Sequence, residues 1–440
     1  MTKTERSGDT EPIDQDAPPT DRHLRPLVGL LAALAVALTS SRIVAVALPW
    51  FTLAMSGSAS RMGLVSFCQL VPYVLGKALT GPVVDRHDPR RISAAADLAS
   101  AAALTAVPLL FLTTGLPTPL FLALVAVVGA ARAPGDLAKE TMVPQVAEWA
   151  RVPLVRATSL SGMVEQTAGI VGLSGGGVLV AWAGPQTALL VNAALFLMGS
   201  AILTLFVPRA KYRTAARPVP SGSKTNTVGR TSYRADMSAG LRFLRGDTFL
   251  LVIIATLGLG SLLDTAYTSV LLPLWAEHSG RNSSAVGLLG GVLTGCALGG
   301  SALAAWCAHR FSRRMLFLIC FLLAGAPRFL VLGSGGSLTV AAAVIACAGL
   351  AQGFLNPLLG AVVLERIPRP MLGRVGGVAD ALMYAGIPFG GLLAGIAVAA
   401  ADVQTVLLCA GCGYLLIAMV SGLMPQWLAM DSRTEATRGN

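Results

Sequence analysis

The sequence predicts an all-α membrane protein of twelve transmembrane helices in two pseudo-symmetric halves of six, with both termini in the cytoplasm. Three observations carry that expectation. Of the 440 residues, 54% are hydrophobic and only 12% charged, against about a quarter charged in a soluble domain. The apolar residues fall into runs of about twenty, the length at which a helix crosses a bilayer. A basic loop occurs twice, as Gly81-Pro-Val-Val-Asp85-Arg86-His-Asp-Pro-Arg90-Arg91 and as His309-Arg-Phe-Ser-Arg-Arg314, which marks a duplicated bundle.

The spans are expected at 27–52, 62–81, 92–113, 118–135, 159–182 and 186–207, then at 248–273, 285–307, 315–333, 338–357, 375–399 and 405–424. Residues 1–25 are rich in Asp, Glu, Pro, Thr and Arg and form a disordered cytoplasmic tail by composition. They are not a signal peptide, because the stretch is acidic and the apolar run that follows is of full span length. The halves then cover 26–207 and 247–425, joined by a cytoplasmic linker at 208–246 with an amphipathic segment, and 426–440 is a second tail.

The net charge of +11 is topological. Nearly all Lys and Arg fall in alternate loops, while the opposite loops hold only Arg61 and Arg281. The positive-inside rule then puts the termini in the cytoplasm, and nucleic acid is not an expected partner. Cys409 and Cys412 form a C-x-x-C within the last span but have no His or charged neighbours, so they read as small packing residues. His23, His87, His278 and His309 lie in tail or loops, which leaves no buried imidazole relay. No metal site, cofactor motif or catalytic constellation is present: there is no H-E-x-x-H and no G-x-x-x-x-G-K. An enzyme and an ATP-driven pump are both disfavoured.

Gly81, Asp85, Arg86, Arg90 and Arg91 match a G-x-x-x-D-R-x-x-R-R pattern, and the loop resembles the signature between the second and third helices of the major facilitator superfamily. The segments VALPWFTLAMSGSA, MVPQVAEWARVPLVRATSL, SAGLRFLRGD and LGRVGGVADALMYAGIPFGGLLAG are similar to the branch holding macrolide-efflux, enterobactin-exporter and Tap-type multidrug proteins. The resemblance implies proton-coupled antiport of amphipathic drugs or secondary metabolites at the cytoplasmic (inner) membrane by a monomer, with resistance as the consequence. The chain departs from that branch at Ser40-Ser41-Arg42, where an Asp is common, and at Leu173, where the antiporter pattern has Pro. The resemblance also implies that the first, fourth, seventh and tenth helices line the cavity.

Ionisable residues within spans are the sharpest pointers, since each costs at least about 2.5 kcal/mol at mid-membrane unless paired or hydrated. Asp264, followed by Tyr267 in the seventh span, is the leading cavity carboxylate, with Arg42 as its expected partner; it either couples protons or only neutralises Arg42. Glu165 with Gln166 is the second coupling candidate. Asp380 serves either a gate contact with the second helix or the cavity. Asp97, Lys77 and Arg132 are expected in a structural inner cluster, and Arg328, on a helix expected at the periphery, either snorkels outward or pairs with an outer loop. Gln69, Tyr73, Trp50, Tyr267, Gln352, Asn356 and Tyr384 supply hydrogen-bonding and aromatic wall positions for a bulky, partly apolar compound.

Two glycine series complete the expectation. Gly287, Gly291, Gly295 and Gly299 make a stripe in the eighth span, and Gly169, Gly172 and Gly176 one in the fifth. Set against each other they either let the halves rock or pack statically. Asp85 either latches the inner ends of the halves, at the positive N-terminus of the eleventh helix near Gly373 to Gly376, or the loop only enforces topology, with its arginines meeting Asp85 or lipid headgroups. The leading function is export of a small amphipathic molecule against protons. The rivals are an importer or facilitator, a siderophore exporter, and a non-transporting receptor.

Overall fold

The computed structural model describes residues 24–113, 115–208, 241–307, 313–367 and 372–423. The expected C-terminal tail and nearly all of the N-terminal tail and the linker lie outside the described residues. Among the described residues there are helices and no strand. The N-terminal half holds α1 (Arg25–Ser56), α2 (Ala59–Leu79), a short α3 (Gly81–Arg86), α4 (Pro89–Thr113), α5 (Thr118–Trp149) and α6 (Leu154–Phe206). The C-terminal half holds α7 (Thr248–Ala266), α8 (Leu272–His278), α9 (Ser283–Cys307), α10 (Arg313–Gly333) and α11 (Leu338–Arg366), followed by α12 (Leu372–Ala385), α13 (Ile387–Ala400) and α14 (Val403–Leu423).

Local chemistry sets several bounds. α1 opens on Pro26, where a missing N–H is no loss, and stops at Gly57, whose φ of 58° is left-handed and whose N–H bonds the Leu53 carbonyl at 2.8 Å. Asp247 caps α7 by accepting from the amides of Phe249 and Leu250 at 3.1 and 3.2 Å. α6 runs for 53 residues, about 80 Å of helix against a hydrocarbon core of about 30 Å. Gly184, at φ 81° and ψ 160°, breaks it into two limbs. A π-helical turn, Tyr267–Leu271, joins α7 to α8, and α12 meets α13 at Gly386. With α6 counted as one, eleven helical stretches among the described residues are long and apolar enough to cross a membrane. The protein is a multi-pass membrane protein.

The core is arranged unequally along the bundle. One large buried apolar cluster runs through both halves, from Val44, Met62 and Val65 to Val286, Leu289 and Ala394, and continues within the second half to Phe249 and Phe317. Each half also keeps a smaller cluster of its own: Leu30, Val146 and Leu203 in the first, Leu244, Leu250 and Val375 in the second. Close glycine contacts seal the halves at the end bearing Ala59 and Ser283, while toward the end bearing the 81–91 loop the two smaller clusters each stay within one half.

Glycine makes the seal. A Cβ on Gly63 of α2 would lie 2.5 Å from the Gly391 carbonyl of α13. One on Gly177, in the first limb of α6, would lie 2.6 Å from Gly287 Cα of α9. The expected stripes divide. Gly169 faces Thr294 and Gly291 faces Ser174, so α6 and α9 do meet. Gly172 and Gly176 instead pack on Arg42 and Ile43 of α1, Gly295 has its nearest neighbour, Ile170, at 3.8 Å, and Gly299 turns toward Leu350 of α11. Four-residue spacing keeps Gly172 and Gly176 on one face, while Gly177 sits about 100° round from Gly176. One helix thus presents small residues to two neighbours.

Candidate functional site

A cavity of about 220 Å³ lies between the halves, just inside the seal. α1, α2 and α5 line it from one half, and α7, the π turn and α13 from the other. Its walls mix apolar side chains such as Leu48, Met62 and Ile387 with Ser41, Gln69 and Thr268. Arg132 of α5 also reaches the wall. Its guanidinium lies over the Tyr73 ring at 5.3 Å and 3.5 Å from Asp136 Oδ2, to which the Tyr73 hydroxyl donates at 3.2 Å. The expected lining by the first, fourth and seventh spans is met. The tenth contributes no lining residue, since half-buried Gln352 is not among the wall residues, and α2 and α13 take its share.

Behind the wall, Asp264 of α7 is bonded to the Arg328 guanidinium of α10. Arg328 is almost wholly buried and lies over the rings of Tyr267 at 4.8 Å and Phe329 at 5.3 Å. The side chain of Asp264 stays 35% exposed. It shares a helix face with the cavity residue Thr268, one turn on, whose hydroxyl donates to the Asp264 carbonyl at 2.9 Å. These facts correct three expectations. The partner of Asp264 is Arg328 rather than Arg42, which is exposed and has its stem packed on Gly172. Arg328 does not snorkel to the periphery: a carboxylate two helices away in sequence holds it inside. Tyr267 is no wall residue but a buried ring beneath that cation, in edge contact with Phe329 at 5.1 Å.

The family model of the Major Facilitator Superfamily matches residues 30–280 and 254–439, so the two matches together span nearly the whole chain. The chain belongs to the major facilitator superfamily. It is 29% identical over 415 residues to the multidrug efflux pump Tap of Mycolicibacterium fortuitum, covering 92% of this chain and 97% of that protein. The Tap pump of Mycobacterium tuberculosis H37Rv is 29% identical over 418 residues, covering 92% and 95%. Among solved structures, a variant of the nucleoside transporter NupG superposes with a TM-score of 0.73 at 14% identity, covering 93% of this chain and all of that one. An inward-facing bacterial homologue of the human lysosomal transporter Spinster gives 0.62 at 14% identity, covering 94% and 96%. Membership makes the protein a transporter of small molecules rather than an enzyme.

In this superfamily member the remaining candidates group at the open end. Lys77 of α2 bonds Glu140 of α5 at 2.9 Å. Across the gap, Asp380 of α12 is exposed and within electrostatic reach of Lys77, and Tyr384 is within reach of Asp380, Lys77, Glu140 and Glu165. Glu165 is exposed and Gln166 half-buried, and neither lines the cavity. Asp97 pairs instead with Lys139 at 2.8 Å, between α4 and α5, with both side chains all but sealed from solvent. Lys139 escaped the sequence reading because it falls past the expected end of the fourth span, which the structure extends to Trp149.

The signature loop has a local tie. Arg90 donates to the Thr204 carbonyl near the C-terminal end of α6, where unpaired carbonyls carry partial negative charge. It therefore binds its own half. Arg91 is exposed, 3.9 Å from Asp88. Gly81, Gly376 and Gly377 face open space. The side chains of Asp85, Arg86 and Asn356 lie outside the described residues.

Proposed function

We propose that the protein is a proton-coupled antiporter that exports amphipathic drugs or secondary metabolites across the cytoplasmic membrane by alternating access. In this reading the break at Gly184 makes α6 two spans, giving twelve, and the loop charges put both termini in the cytoplasm. The sealed end is then the outer end, and the structure is the inward-facing state of a monomer. The relation to Tap pumps over most of the chain supports export.

The observation that carries the coupling is the Asp264–Arg328 pair, with its cation buried and its carboxylate partly open beside the cavity. A proton placed on the Asp264 carboxylate removes the negative charge and leaves Arg328 with only ring faces for company. Loss of that proton restores the pair. A buried uncompensated charge costs several kcal/mol, so the proton and the conformation of α7 are energetically linked. The π turn that starts at Tyr267 is a local irregularity of the kind found at functional positions in helices, and it lies between Asp264 and the sealed end.

The test is accumulation of a fluorescent substrate in cells expressing wild type or Asp264→Asn, with and without an uncoupler. Lower accumulation with the wild type, lost on uncoupling and lost with Asp264→Asn, is the expected result. Uncoupler-insensitive export by both proteins would remove the coupling role, and accumulation above empty-vector cells would mean import.

A further inference from the structure

We infer that the cavity recognises an acidic or zwitterionic amphipathic molecule, taking its anionic group on Arg132 and its hydrogen-bond donor on Thr265 and Thr268. The inference deepens the transport reading by naming a substrate class, and it rests on that reading only for the direction of movement.

Arg132 is the one charged residue among the described residues of the cavity wall. A guanidinium carries five N–H donors in a planar fork that fits a carboxylate through two parallel bonds. Here the neighbouring Asp136 takes one long contact at 3.5 Å. The Nε of Arg132 is sealed and without a partner, so the donors free to meet a ligand are those of the terminal nitrogens, of which only one contacts Asp136. Tyr73 fixes the plane, since its ring lies against the guanidinium and its hydroxyl is spent on Asp136. The cation is therefore held in place with donor capacity left over, at the edge of a space sized for part of a small molecule.

The opposite wall is complementary. Thr265 donates its hydroxyl proton to the Ser261 carbonyl at 2.9 Å, and Thr268 donates to that of Asp264 at 2.9 Å. Ser41 does the same toward Ala37, also at 2.9 Å. These hydroxyls have used their protons on their own helices and offer only lone pairs to the cavity, so they receive an ammonium or hydroxyl and not a second carboxylate. Between the poles lie Leu48, Val65 and Ile387, which suit an apolar body. Arg132 stands on one half and Thr265 and Thr268 on the other, so such a molecule bridges the two.

The experiment measures binding to the purified full-length protein by fluorescence polarisation, with a carboxy-xanthene dye and with its methyl ester, in the absence of any proton gradient. Wild type is expected to prefer the acid by about tenfold or more, the worth of a hydrogen-bonded charge. Arg132→Gln removes the preference while leaving ester binding within about twofold, and Arg132→Lys, with charge but no fork, falls between. Asp136→Asn, which withdraws the competing carboxylate, raises affinity for the acid severalfold, a gain that a damaged fold does not produce. Equal binding of acid and ester by wild type, parallel loss of both in Arg132→Gln, or no gain in Asp136→Asn would overturn the inference. Acid preference without uncoupler-sensitive export leaves this site standing and removes the export reading; export of the ester without acid preference does the reverse.

Discussion

Removing the charge of Asp264 tests whether Arg328 depends on it. Arg328 has 3% of its side chain exposed, so when the carboxylate goes no water replaces it. Taking one partner from a buried pair costs about 3–5 kcal/mol. Asp264→Asn keeps the shape and an acceptor oxygen, and the rings of Tyr267 and Phe329 still hold the cation for about 0.5–2 kcal/mol, so the loss is expected at the low end, about 3 kcal/mol. Arg328→Met leaves Asp264, whose side chain is far less enclosed than that of Arg328, and is expected to lose less. The double variant, with no buried charge, is expected within about 1 kcal/mol of wild type, because swapping a whole buried pair for apolar groups is often neutral. Chemical unfolding in mixed micelles, followed by tryptophan fluorescence, gives the four values of the cycle. Additive losses in the double variant would refute the argument that the two residues are one energetic unit. In cells the double variant is expected to fold without uncoupler-sensitive export.

Three further outcomes follow from the same geometry. Asp97→Asn strands Lys139 where both side chains are sealed, so its loss of stability in the same unfolding assay should reach about 3–5 kcal/mol and exceed that of Asp264→Asn. Gly177→Val sets methyl groups against the backbone of Gly287 and Ser283, and is expected to abolish transport while both halves stay protease-resistant; normal transport would show that the α6–α9 seal tolerates opening. Asp402, in the loop before α14, is held below the usual carboxylate value by bonds from the Thr405 hydroxyl and amide. A lowered carboxylate stabilises above its unfolded value and stops doing so as pH falls through the folded one. Protection of the Thr405 amide from exchange should therefore persist to unusually acidic pH and step down only below the usual carboxylate range, whereas Asp402→Asn, which has no carboxylate to titrate, should show no such step.

What the sequence made legible was whatever repeats along one helix. Apolar run length gave the spans, because in lipid the length of the apolar stretch is itself the constraint. The cost of charge in a membrane marked Asp264, Asp97 and Lys77 as paired or hydrated. Pairing itself was not legible. Arg328 is 64 residues from Asp264, and nothing in the spacing of α7 or α10 says which faces meet, so helix identity alone points to Arg42. The glycine series misled in a similar way: Gly172, Gly176 and Gly177 stand together in sequence, yet the turn of the helix sends the first two to α1 and the third to α9. Arg132 was placed by depth in an inner cluster, and only the three-dimensional approach of α1, α2 and α7 makes it part of a wall.

Where the charges sit bears on how such a protein moves. The ion pairs Lys77–Glu140, Asp97–Lys139 and Arg328–Asp264 each join two helices of the same half. Among the described residues no ion pair crosses the seal between halves. Its hydrogen bonds set small side chains against backbone, beside the shared apolar cluster and the edge contact of Phe67 with Phe389 at 5.5 Å: Ser60 donates to the Gly395 carbonyl at 3.3 Å, Ser174 to that of Gly287 at 3.4 Å, and Ser283 to that of Gly177 at 2.9 Å. Bonds of that kind are individually worth about 1 kcal/mol or less in membranes, and Gly has no side-chain atoms to interlock. Each half is thus braced internally by ion pairs that are expensive to break, while the polar contacts of the seal are cheap to break and re-form. Opening the sealed end need not disturb the Asp264–Arg328 pair, so under the proposed coupling a proton on Asp264 would act on the seal only through α7 and its π turn, which touch α1, α2 and α13 at that end. That reading puts the energetic link between proton and gate in one helix, and makes residues Tyr267–Leu271 the stretch where a substitution should uncouple export from the proton gradient without unmaking either half.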